Sequence, residues 1–116
     1  MQRQFRLRRS AEFERVRTEG RAWRHPLVTM AVAPNALLHN RYGFIASRHL
    51  GGAVVRNRVR RLLREGVRQL APRLKTGFDL TFIARNDIVD QPYSKVCSVL
   101  EELFKRANLW QEDAKS

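Results

Sequence analysis

The chain has 116 residues, 43% of them hydrophobic, which suffices for one modest core and excludes a second independent domain. Its formal net charge of +12 exceeds what solubility requires and indicates an anionic polymer as partner. No stretch approaches the roughly 18 apolar residues of a membrane span, and the basic amino terminus lacks the apolar run of a signal peptide. With Cys97 as its single cysteine, the protein is expected to be cytoplasmic, without disulfides or membrane contact.

The first half of the chain predicts a short helix followed by strands. The helix is expected over residues 11–18, with Ser10 as its N-cap and Gly20 ending it. Residues 27–33 (LVTMAVA) and 41–47 (RYGFIAS) predict two strands that pair as an antiparallel hairpin. An additional short strand over residues 21–25 stays open.

The second half predicts a helix, a strand and a helix. The first of these helices covers residues 54–70, between two glycines and Pro72. Residues 78–85 (FDLTFIAR) form a strand parallel to residues 41–47, because a helical crossover joins the two. The last helix, residues 93–109, buries a stripe of Val96, Val99, Leu100, Leu103 and Phe104. Residues 1–116 are interpreted as one domain, with residues 110–116 expected to fray.

Arginine dominates the charge and is unevenly distributed. The chain has 19 Arg against 4 Lys, and guanidinium groups grip phosphate through paired hydrogen bonds. Residues 1–75 hold 18 basic and 4 acidic residues, whereas residues 76–116 hold 5 and 7. The binding face is therefore predicted in the first two thirds of the chain.

The helix over residues 54–70 divides into a basic arc and an apolar arc. At about 100° per residue, five arginines fall within an arc of about 140°, namely Arg56, Arg60, Arg61, Arg64 and Arg68. Like charges four residues apart destabilise a helix by a few tenths of a kcal/mol, and phosphate neutralisation would compensate for this. Gly51 and Gly52 suit either an anion-binding helix start or only a tight turn.

Residues suited to hydrolysis are scattered. His25, His39 and His49 lie in separate segments without a spaced carboxylate partner. Asp79 is expected to point outward from its strand, where it is solvated or paired with arginine. Neither a catalytic side chain nor a protein-bound metal site is predicted.

Residues 41–65, RYGFIASRHLGGAVVRNRVRRLLRE, closely resemble the signature of the protein subunit of bacterial ribonuclease P, with its R-N-R core at residues 56–58. Leu7, Phe13, Val16 and Gly20 match the amino-terminal spacing of that family. The resemblance implies an α+β fold, an α/β sandwich like the second domain of ribosomal protein S5. Its elements would run helix, strands, helix, strand, helix, with a mixed four-stranded sheet and a left-handed β-α-β crossover.

The resemblance also implies a function. The family's protein joins a catalytic RNA, which uses bound Mg²⁺ to remove the 5′ leader from precursor tRNA. Carried over by position, the residues that would serve the RNA-binding helix are Arg56, Asn57, Arg58, Arg60, Arg61 and Arg64. Apart from the resemblance, further RNA contacts are expected at Arg8, Arg9, Arg48 and Arg68. Expected lining residues of a cleft for the single-stranded leader are Phe13, Arg17 and Met30.

Two other functions compete with this interpretation. One is a ribosome-associated or chaperone-like RNA-binding protein, for which positive charge alone would suffice. The other is DNA binding, which is disfavoured because the basic helix lacks the turn and second helix of helix-turn-helix proteins.

Overall fold

The computed structural model describes residues 1–112, which form one four-stranded sheet with helices on both faces. In chain order the elements are α1 (Ser10–Glu19), β1 (Arg21–Arg24), β2 (Val28–Pro34), β3 (Arg41–Ile45), α2 (Ala53–Leu70), β4 (Phe78–Ala84) and α3 (Tyr93–Arg106). None of the described helices has the length and apolar character that a membrane crossing requires.

The strands are arranged in the order β1-β2-β4-β3. Strand β4 runs parallel to β3, as the helical crossover predicted, and antiparallel to β2.

The predicted hairpin between residues 27–33 and 41–47 is wrong, because β4 lies between these two strands. The hairpin instead joins β1 to β2, which confirms the additional short strand. Five of the seven residues of β4 are buried, which agrees with its central position in the sheet. The left-handed sense of the crossover stays a prediction.

The larger core lies between the sheet and helices α2 and α3. Phe82 of β4 stacks on Phe44 of β3, with ring centroids 5.5 Å apart, and meets the ring of Phe104 edge-on at 6.0 Å. The predicted stripe of α3 is buried throughout, which confirms that side of the helix as its core face. Helices α2 and α3 thus form one apolar layer that fixes α2 to the sheet.

The ends of the last two helices depart slightly from expectation. Gly51 has φ 140°, a conformation that disfavours other residues, so at least this glycine is required by the turn before α2. Helix α3 ends at Arg106 rather than at residue 109. Trp110 pairs with Leu74 as an isolated bridge, so the expected fraying does not begin at residue 110. Residues 113–116 of the expected tail lie outside the described residues.

Helix α1 begins differently from the prediction. Ser10 is the first helical residue rather than the N-cap, and the carboxylate of Glu12 takes over the capping role. Its Oε1 accepts hydrogen bonds from the backbone N–H groups of Arg8 and Arg9, at 2.9 and 3.0 Å. These hydrogen bonds lower the pKa of Glu12 although burial opposes them. Glu12 is therefore charged at neutral pH and stabilises the start of α1.

Asp79 on β4 is the buried charge to which α1 is attached. Its side chain is 0% exposed and faces α1. Arg15 donates to Oδ2 at 2.7 Å, Arg41 donates to both carboxylate oxygens at 2.9 and 2.8 Å, and Asn35 donates to Oδ1 at 2.9 Å. The expected pairing with arginine is confirmed, whereas the expected exposure to solvent is wrong. Asp79 does alternate with its apolar neighbours, but α1 covers the face to which it points.

The network around Asp79 predicts a pH-dependent stability. Burial raises the pKa of Asp79, but hydrogen bonds from Arg41, Asn35 and Arg15 outweigh burial, so the pKa lies below its usual value. A carboxylate with a depressed pKa stabilises the fold above its unfolded pKa, near 4, and loses this contribution as pH falls through its folded pKa.

We therefore expect Asp79→Asn to lower the free energy of unfolding by about 3–5 kcal/mol at pH 7, because two arginines lose their buried counter-charge. The difference from the wild type should narrow as pH falls below about 4. Urea unfolding, followed by tryptophan fluorescence at a series of pH values, measures this difference. If the difference in free energy of unfolding between the wild type and Asp79→Asn were the same at pH 7 and pH 3, Asp79 could not be charged in the folded protein.

Candidate nucleic-acid interface

Helix α2 carries a row of arginines beside the arc that packs on the sheet. Arg61 is exposed, and Arg56, Arg60 and Arg64 are half-buried at the edge of the packed arc. Within residues 1–112, none of these four guanidinium groups forms an ion pair with a carboxylate. The protein therefore leaves the charge of this row, which we call the arginine row, uncompensated.

Arg68, at the end of the same helix, differs from the arginine row. Its Nη2 lies 2.7 Å from Oε1 of Glu65, three residues earlier. The hydrogen bond from Arg68 lowers the pKa of Glu65, which keeps the carboxylate charged and the pair intact at neutral pH. Arg68 thus offers a polyanion less unpaired charge than the arginine row does.

The R-N-R segment of α2 makes its own contacts. Arg58 turns toward the loop after β4 and donates to the carbonyl oxygen of Val89 at 2.8 Å. Arg60 donates to Oδ1 of Asn57 at 2.6 Å and approaches the carbonyl oxygen of Ala46 at 3.5 Å. Asn57 therefore orients Arg60, and Arg58 connects α2 to the adjoining loop.

A groove lies between α1 and the uncovered part of the sheet, with a volume of about 440 Å³. Its walls and floor are formed by Arg8, Ser10, Phe13, Glu14 and Arg17 from the α1 side and by Ala31, Ile45, Thr81 and Ile83 from the sheet. The floor is mostly apolar, and arginines stand at its rim. This surface, which we call the α1 groove, combines apolar and cationic contacts in the way that single-stranded nucleic acid requires.

Phe13 lies in the α1 groove directly above Gly43 of β3. A Cβ at position 43 would collide with the Phe13 ring, so the glycine allows the ring to lie against the strand. The ring is half-buried and packs beside Ala31 and Val16. Phe13 therefore contributes to packing and also presents part of its ring to the groove.

The other two residues expected in the cleft have different outcomes. Arg17 does line the α1 groove, where it pairs with Glu14, and its hydrogen bond lowers the pKa of that glutamate. Met30 does not, and its assignment to the cleft is wrong. Its side chain is 0% exposed and pairs with Phe82 on the opposite face of the sheet, within the larger core. Its neighbour Ala31 faces the groove instead, because side chains alternate along a strand.

A second hollow of about 470 Å³ continues from the α1 groove at Ile83. It lies where the parallel strands β3 and β4 end, and its lining includes Ser47, His49, Arg85 and Asn86. No motif in the sequence marks Arg85 or Asn86 as a binding residue, although Arg85 is visible as the basic residue that closes the FDLTFIAR segment. This hollow brings the α1 groove close to the turn before α2.

The remaining basic candidates lie around these two surfaces. Arg48 is exposed in the short turn before α2, beside His49 of the second hollow. Arg8 lines the α1 groove, and Arg9 is exposed at the start of α1. The structure therefore places these arginines near the groove or at the start of α2.

The residues considered for hydrolysis remain apart. His25 lies 4.0 Å from Glu102, a carboxylate that the sequence did not suggest, and His39 packs edge-on against Phe5. Residues 1–112 contain no group of three or more His, Cys, Asp or Glu side chains suited to hold a metal ion. Asp79, the most buried carboxylate, is fully engaged by arginine and asparagine.

Comparison of the sequence with known proteins finds ribonuclease P proteins among its relatives. The Ribonuclease P family matches residues 1–108. The ribonuclease P protein component of Chloroflexus aurantiacus is 44% identical over 110 residues, which cover 94% of this chain and 82% of the relative. That of Roseiflexus castenholzii is 40% identical over 112 residues, covering 96% of this chain and 92% of the relative.

The fold is similar to solved structures with the same name. The RNase P protein of Staphylococcus aureus superposes with a TM-score of 0.84 at 26% identity, covering 92% of this chain and 98% of the other. The RNase P protein of Thermotoga maritima gives a TM-score of 0.81 at 27% identity, covering 87% and 96%. The sequence matches and the superpositions together show that this chain belongs to the ribonuclease P protein family.

Proposed function

We propose that this protein is the protein subunit of a ribonuclease P ribonucleoprotein that removes the 5′ leader from precursor tRNA. The arginine row of α2 binds the catalytic RNA, and the α1 groove receives the single-stranded leader. The observation that carries this proposal is that one small protein combines an uncompensated arginine row on α2 with a groove of apolar floor beside α1, on the other face of the sheet. The protein would act in the bacterial cytoplasm.

The arginine row is suited to a structured RNA. Arginines at i, i+4 and i+8 repel one another, and no carboxylate among the described residues neutralises them. Each phosphate that pairs with one of them releases counterions and replaces repulsion by attraction. The apolar arc of α2 is buried against the sheet, so the helix presents these charges from a fixed position.

The α1 groove is suited to a single strand. Its apolar floor and the exposed part of the Phe13 ring can contact the flat faces of unstacked bases. Every base has such a face, so this contact does not depend on the leader sequence. Arg8 and Arg17 at its rim can follow the phosphate backbone. The adjoining hollow, lined by Arg85 and by His49 of the turn before α2, extends this path for the leader beyond the groove.

Hydrolysis is assigned to the RNA. The three histidines of the protein lie apart, and Asp79 is neutralised by arginines. We propose that the Mg²⁺ required for the reaction is held mainly by the RNA, where it supplies charge stabilisation at the scissile phosphate. The protein contributes binding and orientation of the leader. A ribosome-associated or chaperone-like role is not favoured, because the family and its relatives carry the ribonuclease P name.

The direct test is reconstitution with the catalytic RNA encoded in the same genome. We expect the protein to stimulate cleavage of precursor tRNA at low Mg²⁺, because it neutralises phosphates that otherwise need metal ions. The 5′ ends of the products, mapped by primer extension, should coincide with the mature tRNA end. Failure to stimulate cleavage of any precursor would contradict the proposed function.

The arginine row should account for the salt dependence of RNA binding. We expect Arg56→Ala and Arg61→Ala each to weaken binding to the catalytic RNA and to reduce the slope of log Kd against log salt by about 1. Lys95→Ala is the matched control, since it removes one positive charge from an exposed site on α3. Filter binding at several salt concentrations measures the slopes. Equal slopes for all three variants would mean that no localised RNA-binding face exists.

Phe13 should affect only substrates that carry a leader. Phe13→Leu retains apolar packing over Gly43 but removes the flat ring, so it separates stacking from packing. We expect it to weaken binding of precursor tRNA by about five-fold or more, the low end of the stacking contribution of one base. Mature tRNA, measured in the same holoenzyme, should bind as it does to the wild type. If Phe13→Leu bound precursor tRNA as tightly as the wild type does, Phe13 would contribute to packing only and not to leader binding.

A further inference from the structure

Helix α1 is attached to the sheet through little apolar surface. The buried apolar residues on this face are Leu7, Val16, Ala31 and Ala33, and the half-buried ring of Phe13 packs beside them. Of α1 itself, only Val16 is buried. The opposite face holds the large aromatic and aliphatic side chains. Apolar burial stabilises in proportion to its area, so it constrains α1 far less than it constrains α2 and α3.

Charged hydrogen bonds supply the missing attachment. Arg15 donates to Asp79 of β4 at 2.7 Å and to the carbonyl oxygen of Pro34, at the end of β2, at 3.1 Å. Arg41 of β3 donates to Asp79 and also to Glu12 of α1, the latter at 3.1 Å. Two α1 residues one turn apart are thereby attached to all three strands beneath the helix. We call these five residues the α1 clamp.

The α1 clamp lies directly beside the groove. Phe13 follows Glu12 in the chain, and its ring occupies the space above Gly43. Arg17 stands two residues beyond Arg15 at the groove rim. A shift of α1 away from the sheet would therefore move both residues and change the width of the groove in which they stand.

We propose that the α1 clamp positions α1 and thereby sets the width of the α1 groove for single-stranded leader RNA. Arg15 and Glu12 are positioning residues, which act on the leader through Phe13 and Arg17. This inference rests on the proposed function, since it assigns a task to residues behind the leader site. The arrangement favours arginine at position 15, because its planar fork satisfies Asp79 and Pro34 at once, whereas lysine presents a single ammonium group.

The test measures leader preference, defined as the Kd of the reconstituted holoenzyme for mature tRNA divided by its Kd for precursor tRNA. Arg15→Met removes the charge while keeping a flexible apolar stem at a partly exposed site. We expect it to lower the leader preference by about ten-fold, comparable to loss of a stacked base. Affinity of the protein for the catalytic RNA should stay unchanged, because α2 lies on the opposite face of the sheet. Arg15→Lys should recover only part of the leader preference.

Two further variants make the test decisive. Val99→Ala weakens the larger core and is the control for general loss of stability, so its urea midpoint is compared with that of Arg15→Met. Glu12→Gln keeps an oxygen for the backbone N–H groups of Arg8 and Arg9 but removes the charge that Arg41 contacts. We expect about a three-fold loss of leader preference, less than for Arg15→Met because Arg15 still holds α1. It tests the clamp if Arg15→Met does not fold.

The outcomes separate the inference from the proposed function. A wild-type holoenzyme without leader preference would overturn the leader role of the groove, and the inference with it. A wild-type preference that Arg15→Met and Glu12→Gln both retain would overturn the inference alone. An equal loss of preference in Val99→Ala would also overturn it, because the effect would then follow stability rather than the position of α1.

Discussion

The buried carboxylate of Asp79 constrains the rest of this molecule. A charge removed from water must be paired with excellent geometry, and here two arginines and an asparagine satisfy it. Arg15 comes from α1 and Arg41 from β3. Because the buried charge of Asp79 must be paired, this one side chain fixes the position of α1 on the sheet. Ala31, Ala33 and Gly43 on the face beneath α1 are small, which lets α1 approach closely enough for this pairing.

The two faces of the sheet have different tasks, and the alternation of side chains along each strand separates them. Met30 and Phe82 point into the apolar layer that holds α2, whereas their neighbours Ala31 and Thr81 point toward α1. Large side chains fill the face that carries α2. Their close packing holds α2, and the charges on it, in a fixed position on the sheet. The second face is filled only in part, and the unfilled part is the groove.

Local signals in the sequence predicted the helices, the apolar stripe of α3 and the two arcs of α2, because these features repeat every three or four residues. They did not predict that β4 separates β2 from β3, since strand order depends on contacts between distant segments. Met30 was misplaced by one residue, which on a strand means the opposite face. Asp79 was predicted to pair with arginine, but its burial depends on how α1 crosses the sheet, which no local pattern encodes.

Charge has opposite consequences on α1 and α2. On α1, Arg15 pairs with the buried carboxylate of Asp79 and Glu12 pairs with Arg41 of β3, so these charges attract one another within the protein and hold the helix in place. On α2 the arginine row has no carboxylate partner within residues 1–112, and burial of the apolar arc must offset the repulsion among its charges. An unpaired row on a firmly packed helix is stable enough to fold and still has its full charge available. The arginines in the first two thirds of the chain therefore divide into two groups: some are paired with carboxylates beneath α1, and those of the arginine row on α2 have no carboxylate partner within residues 1–112 and remain available for the RNA that we propose.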